Sequence, residues 1–510
     1  MKLEELVGQK LVLGIDGAKI TPQTIEIFQK TQAGGLILFK RNIPSAEALK
    51  KLIYDLEHAL GRRLLVMIDH EGGRVIHFGD GVTIFPDAQA LGISGRSDLA
   101  EQQGEIEALE LGRLGFDMNL APVLDVVTHQ WNPAIGTRSY GRDAELVGVL
   151  GASRIRGIQS KGLSACAKHY PGLGEARYDP HHDLPTIRKN WKAMRQTDLI
   201  PFMKAIETGV NAVMSSHPVY TELDPHPNLP ATFSRRIIYD SLRIELGYKG
   251  LILSDDLKMG AITKTVSFKE GIPLAAKAGH DLLLVCSDPL AQLEAFDALM
   301  WSYKKKDLKT SELEESVERI SQLKAKRKER FSPGPLTSEK KGSEVAREIA
   351  RLGVQIFSTG NGLIPLSPAW CLNHSFWVIF PELSPVAKER FLEPELLAPE
   401  ALLRQSFSQH GIPLKNIEKI SLQPTPKERE RMRDKGREED LTLFFCWDAH
   451  HFSQTRELLK DLQDSGGRLV VVLLREPHDF EGISPKTACL TAHGFRRVQI
   501  EAVLEKLFSS

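Results

Sequence analysis

At 510 residues the chain is too long for one hydrophobic core and suits two or three domains. Its 66 Lys and Arg balance 66 Asp and Glu, so no net field draws it to nucleic acid or to an anionic membrane. An apolar share of 42% is that of an ordinary soluble globular protein.

The first residues, "MKLEELVGQKLVLGIDG", carry Glu4 and Glu5 ahead of any apolar run and do not read as a secretory signal. No uninterrupted apolar stretch is long enough to span a bilayer. The five cysteines (Cys166, Cys286, Cys371, Cys446 and Cys489) are scattered with no CxxC pair. That spacing favours thiols in a reducing cytoplasm over disulfides or structural zinc, so the expected location is cytoplasmic.

From residue 11 to about residue 302 one rhythm repeats. The apolar runs "LVLGID", "GGLILF", "LLVMID", "FDMNLAPVLD", "SACAKHY", "NAVMSSH", "GLILSDD" and "DLLLVC" read as buried strands. Between them lie amphipathic helical stretches such as "SAEALKKLIYDLEHAL", "AELVGVLGASRIRGIQSKG" and "SRRIIYDSLRIELGY". Eight strand and helix repeats predict an α/β fold of the (β/α)8 barrel type over residues 1–302; a doubly wound open sheet is the alternative. Residues 303–342 are strongly charged and helical up to Ser332-Pro333-Gly334-Pro335, which predicts a terminal helix with a solvated face and then a linker. From residue 343 to residue 510, runs such as "SFWVIF", "LTLFFCW" and "RLVVVLL" alternate with helical segments and predict a smaller α/β domain.

Asp16, Asp69, Asp125, Lys168, His169, His217 and Asp255 all fall where an apolar strand gives way to a loop. Barrel enzymes assemble their sites there, from several strands at once. The richest loop is "AKHYPGLGEARYDPHHDLP", residues 167–185. Asp179 and His181 are two apart, so in an extended segment both side chains point the same way. A carboxylate beside an imidazole fixes its tautomer and favours its protonated form, which suits general acid and base work. The same residues would also serve a surface loop that only satisfies its own backbone.

In "LILSDDLKMG" an aspartate leaves an apolar strand directly, as a carboxylate nucleophile should, with Asp255 facing the barrel mouth and Asp256 capping the next helix. A plain helix cap would leave the same trace. "MIDHEGGRVIHF" offers Asp69 and Glu71 before two glycines that let the backbone approach a ligand; a tight turn with incidental acids is the competing reading. Arg138, in "NPAIGTRSYGRD", is a forked donor for a hydroxyl pair or an acyl carbonyl, or else a structural ion-pair partner. Cys166 packs inside its strand, and His217 either lines the pocket or is a satisfied core histidine.

Taken together, "GGLILFKRNI", "IDHEGGRV", "MNLAPVLDV", the "KHYPG" to "DPH" loop and "LGYKGLILSDDLKMGAI" resemble glycoside hydrolase family 3, in its bacterial β-N-acetylglucosaminidase branch. The resemblance runs in order through the first 300 or so residues, and the loop is specific to that branch. It implies a retaining double displacement with Asp255 as nucleophile, His181 as proton donor and acceptor, and Asp179 as the carboxylate polarising it. Asp69, Arg138, Lys168 and His169 match positions that hold the sugar, and His77 stands where relatives carry a sugar-contacting arginine. Residues 343–510 look like the family's second domain, an α/β sandwich, in shortened form, and no cofactor and no metal are implied. The implied partner is a GlcNAc-containing saccharide or a muropeptide from recycled cell wall, with no nucleic-acid or membrane partner. The family's G-H-G and D-S-H become Gly172-Leu173-Gly174 and Asp179-Pro180-His181, which removes one polar contact and stiffens the dyad segment.

A histidine acid is neutral once its proton is gone and does not repel phosphate, so phosphorolysis joins hydrolysis as a reaction to test. Three rivals compete: a β-glucosidase, a sugar-binding relative without turnover, and a metal-dependent hydrolase using His169, His217 and Asp255.

Overall fold

The computed structural model describes residues 1–129, 131–177, 184–226, 228–330, 338–414 and 416–508. Eight short strands build a parallel sheet: β1 (Leu11–Leu13), β2 (Gly35–Leu38), β3 (Leu65–Ile68), β4 (Met118–Asn119), β5 (Ser164–Tyr170), β6 (Ala212–Ser215), β7 (Leu251–Leu253) and β8 (Leu283–Val285). Their order is β8-β1-β2-β3-β4-β5-β6-β7, each strand beside its neighbour in sequence. The two ends meet in a parallel bridge from Leu253 to Leu282, reinforced by Ser254 N–H donating to Leu282 O at 3.0 Å. The sheet therefore curls into the (β/α)8 barrel that the apolar runs predict.

Alternate strand residues, among them Val12, Ile37, Leu65, Met67, Met118, Cys166, Met214, Leu253 and Leu284, fill the barrel interior. Ile320 and Leu323 join the same cluster from the helix Thr310–Arg330. That helix, the charged stretch after the repeats, docks at the amino ends of the strands: Arg319 pairs with Asp281 before β8, and Lys324 Nζ donates to Gln9 Oε1 before β1 at 2.8 Å. One apolar stripe on a charged helix is enough to close a barrel floor.

The outer helices start where the sequence places caps. Ser45 Oγ accepts from Ala48 N–H at the head of Ala46–Leu60, whose Leu49, Leu52, Ile53 and Leu56 face inward. Asp143 Oδ1 accepts from Glu145 and Leu146 N–H at the head of Ala144–Ser160. The stretch Arg236–Glu245 departs from expectation: it is a π-helix, with Leu246 N–H reaching back five residues to Ser241 O at 2.9 Å.

The chain divides into two compact units. One holds Met1–Glu71, Asp80–Thr83 and Gly95–Gly342; the other holds Gly72–Gly79, Ile84–Ser94 and Ser343–Ser510. The second unit is a six-stranded sheet of β9 (Gln355–Thr359), β10 (Phe376–Pro381), β11 (Asn416–Ile420), β12 (Leu441–Trp447), β13 (Leu469–Leu474) and β14 (Ala488–Thr491). The order is β9-β14-β13-β12-β10-β11, parallel throughout except for β9 against β14. Val378, Phe380, Leu443 and Val472 pack on one face, and Trp377, Ile379, Phe444 and Val471 on the other, so the sheet is covered on both sides. The excursion after β3 is woven into this core. Arg496 Nε donates to Gly73 O at 2.7 Å, and Gly73, at φ +49°, has no room for a side chain because an added Cβ would lie 2.2 Å from Asp87 Cγ.

All five cysteines are buried free thiols. Among the described residues no helix is long and apolar enough to cross a membrane.

Candidate active site

At the carboxyl ends of β3, β4 and β5 a chain of charged groups is buried side by side. Lys168, near the end of β5, donates Nζ to Asp69 Oδ1 at 2.6 Å and reaches Glu71 Oε1 at 2.7 Å. Glu71 also receives the Arg138 fork, Nε to Oε2 and Nη2 to Oε1, both at 2.8 Å. Arg138 comes from the helical turn Gly136–Arg138, and its Nη1 donates to Ala134 O at 2.8 Å. Burial works against the Glu71 charge, but the Arg138 guanidinium and the Lys168 ammonium overcome it and hold the carboxyl below the usual range. Burial likewise opposes the charge on Lys168, and Asp69 and Glu71 raise its pKa in spite of it. Two buried cations against two carboxylates form a neutral set, and removing one member would strand its partners at a cost of about 3–5 kcal/mol.

His169 extends the chain. Its Nδ1 lies 2.7 Å from Asp125 Oδ2, and the same oxygen accepts the His169 backbone N–H at 3.2 Å. The carboxylate can only accept, so Nδ1 donates; Nε2 then faces Arg138 Nη2 at 3.4 Å as an acceptor. The other oxygen of fully buried Asp125 takes Leu173 N–H at 2.6 Å, which ties the start of the long loop to the end of the β4 segment. Asp69 differs from its neighbours in keeping 22% of its side chain exposed. Arg138 spends its fork on Glu71 and keeps at most one Nη1 proton for a ligand.

Asp255 stands two residues beyond β7 and is partly exposed, with Asp256 N–H donating to its Oδ1 at 2.7 Å. Burial pushes up the thiols of Cys166 and Cys286 inside the barrel, and both Asp69 and Asp255 add to that rise. Asp69 follows β3 and Asp255 follows β7, so the two carboxylates stand at the same, carboxyl end of the barrel. Asp256 does not cap a helix, since the next one, Gly260–Thr263, begins after Met259; its Oδ1 accepts from Lys258 and Cys286 N–H, each at 3.2 Å. His217 is buried, with Nδ1 2.6 Å from Thr232 Oγ1 and Nε2 3.1 Å from the Asp256 carbonyl.

Asp179, Pro180 and His181 lie outside the described residues. The stretches on either side are anchored: Tyr220 OH donates to Gly172 O at 2.7 Å, and Thr186–Ile187 pairs in parallel with Val219–Tyr220. Leu173 packs with Val123, Ala134, Ile135 and Ala176, so its side chain is part of a small apolar cluster. Gly174 is required beside it, because a Cβ would lie 1.7 Å from Val126 O. His77 falls in Gly72–Gly79, within the second unit. Asp16 is exposed at the end of the β1 run. Among the described residues no group of three or more His, Cys, Asp or Glu is arranged to hold a metal ion.

The structure thus joins Asp69, Arg138, Lys168 and His169 through two residues whose roles the sequence left open, Glu71 and Asp125. Their only signals were a position two after Asp69 and a place at a strand end.

Charged side chains from several strand ends, gathered at the carboxyl face of a closed parallel barrel, define a (β/α)8-barrel enzyme. Residues 2–323 match the glycosyl hydrolase family 3 N terminal domain, and the chain belongs to that family of glycoside hydrolases. A β-hexosaminidase of Hydrogenovibrio crunogenus is 34% identical over 310 residues, covering 59% of this chain and 86% of the relative. One from Thioalkalivibrio sulfidiphilus is 37% identical over 296 residues, covering 57% of this chain and 84% of the relative. The structure of a family 3 β-N-acetylglucosaminidase from Paenibacillus sp. superimposes with a TM-score of 0.92 at 30% identity, over 99% of this chain and 96% of that one.

Proposed function

We propose that the protein is a retaining exo-β-N-acetylglucosaminidase that removes terminal β-linked GlcNAc from peptidoglycan-derived muropeptides or related glycosides in the cytoplasm. The observation that carries this reading is the linked set Asp69, Lys168, Glu71, Arg138, His169 and Asp125 at the mouth of the barrel, with Asp255 at the same end.

Asp69, Arg138, Lys168 and His169 hold the sugar. The partly exposed Asp69 carboxylate accepts hydroxyl protons, while Glu71 keeps Lys168 and Arg138 fixed and charged. Asp255 attacks the anomeric carbon. His181, polarised by Asp179, protonates the departing oxygen and later takes a proton from water as the glycosyl-enzyme is hydrolysed. General acid help of this kind is worth about 10² to 10⁴ in rate.

The test is a chromogenic β-N-acetylglucosaminide assay on the wild type beside Asp255→Ala, with the β-glucoside as the competing sugar. The proposal expects turnover of the N-acetylglucosaminide that Asp255→Ala abolishes. Equal rates for the two proteins, or preference for the glucoside, would overturn it. The same assay in phosphate buffer reads whether sugar 1-phosphate forms beside free sugar.

A further inference from the structure

We infer that Asp256 is the positioning residue of the nucleophile, holding the Asp255 carboxylate through its backbone N–H, and that His217 braces Asp256 from the neighbouring strand. The inference rests on the reading of Asp255 as nucleophile and adds what aims it.

A carboxylate nucleophile must present one oxygen to the anomeric carbon, and an aspartate side chain leaving a loop is free to rotate about two torsions. The Asp256 N–H removes that freedom by bonding to Asp255 Oδ1 at 2.7 Å. The bond aims the carboxylate only if Asp256 itself cannot move, and three strands hold it. Its Oδ1 accepts Cys286 N–H at the end of β8 and Lys258 N–H in its own turn, each at 3.2 Å. Its carbonyl accepts from His217, just beyond β6, at 3.1 Å, and from Met259 N–H at 3.1 Å. Beneath it, Ser254 is fully buried and its hydroxyl accepts Leu284 N–H at 3.1 Å.

The chemistry of each contact fixes the role of His217. The Asp256 carbonyl can only accept, so Nε2 carries a proton. Nδ1 faces Thr232 Oγ1 at 2.6 Å, and that hydroxyl also lies 3.0 Å from Ser216 O. The hydroxyl can turn its proton to Nδ1 or to Ser216 O, so the imidazole stays hydrogen-bonded in either protonation state and the brace persists. A local turn would need only the Lys258 and Met259 contacts. The ties to β6 and β8 are what make the residue a fixed point.

Only acceptor capacity at Oδ1 is required of Asp256, so an amide should replace the carboxylate and a methyl should not. Asp256→Ala is expected to lower kcat about 10²-fold with KM within about threefold of wild type, the scale of a displacement of about 1 Å at the reacting centre. Asp256→Asn is expected to restore most of that loss. His217→Ala, which tests the brace from another strand, should lower kcat about tenfold in the same sense. The rate of covalent trapping by a 2-fluoro sugar fluoride should fall in step with kcat, while inhibition by free N-acetylglucosamine stays unchanged. Thermal melts confirm folding, and a crystal structure of Asp256→Ala should show the Asp255 carboxylate rotated from its place.

An Asp256→Ala protein with wild-type kcat, equal losses in the Ala and Asn variants, or an unmoved Asp255 carboxylate would each overturn the positioning role alone. Full activity in Asp255→Ala would overturn the nucleophile reading and this inference with it.

Discussion

Two sheets in this chain, one parallel and one parallel but for its edge strand β9, crowd charge at the carboxyl ends of their strands, and only one of them reads as a catalytic mouth. In the barrel, the Asp69, Glu71, Lys168 and Arg138 set keeps Asp69 partly exposed, and Asp255 is partly exposed at the same end. In the second unit, β12 and β13 run into Asp448 and Arg475, and His493 follows β14; all three take positive φ, at +39°, +68° and +56°. Asp448 is fully buried against Arg475, Glu476 is paired with Arg74 at 3.2 Å, and His450 Nδ1 lies 3.1 Å from Asp479 Oδ1. Both sets answer the same need, pairing charge where strands stop. What separates them is reach: a group that works on a substrate must keep part of its surface open, and a group that holds a fold need not.

The comparison breaks first at the barrel. Replacing Asp255 by Ala removes the covalent route itself and is expected to cost on the order of 10⁴-fold or more in kcat, read with the chromogenic N-acetylglucosaminide, while the melting temperature stays near wild type. Lys168→Met should damage both function and fold. It leaves Asp69 and Glu71 without their shared cation, with a loss of about 10²-fold in kcat/KM and about 3–5 kcal/mol in stability by denaturant unfolding.

The second unit should respond in stability alone. Arg475→Met strands the buried Asp448 charge and is expected to cost about 3–5 kcal/mol by calorimetry, with kcat/KM within about twofold of wild type. A kinetic loss there as large as that of Lys168→Met would erase the distinction.

His493 sharpens the contrast through pH. Burial lowers its pKa to about 4, with Glu476 only partly opposing the shift. Between about pH 4 and the ordinary value of about 6.5 the unfolded chain binds the extra proton and the folded chain does not, so stability rises with pH and acidification destabilises. The effect reaches at most about 3 kcal/mol. His493→Gln, able to keep a donor toward Gln355, should flatten that slope in melts from pH 7 down to pH 4. At the barrel mouth the sign is the same and the window lies lower: the Glu71 pKa is depressed, so its stabilising charge is lost only as pH falls below the usual carboxylate range.

The repeating strands were legible because parallel strands buried on both faces must be apolar runs, and "LLVMID" or "DLLLVC" leaves little else to be. Helix starts at Ser45 and Asp143 were legible for an equally local reason, a side-chain oxygen beside unbonded amides. Partners were not legible. That Glu71 rather than Asp69 takes the Arg138 fork, and that Asp125 holds His169, depends on strands far apart in sequence. Leu173 looked like a lost polar contact because the residues that surround it come from the β4 segment, the loop after it and its own loop. Asp256 looked like a helix cap because its nearest amides are local, while the bond to Cys286 comes from the next strand. Nothing in the apolar pattern of residues 72–94 says which core they join, and most of them join the second.

The central claim, that Asp255 at the barrel mouth is the nucleophile, is tested most directly by mass spectrometry of the protein after incubation with a 2-fluoro derivative of the substrate sugar. The account predicts a single covalent sugar adduct on the peptide carrying Asp255, absent from Asp255→Ala. An adduct on any other residue, or turnover of the N-acetylglucosaminide with inversion at the anomeric carbon, would contradict it.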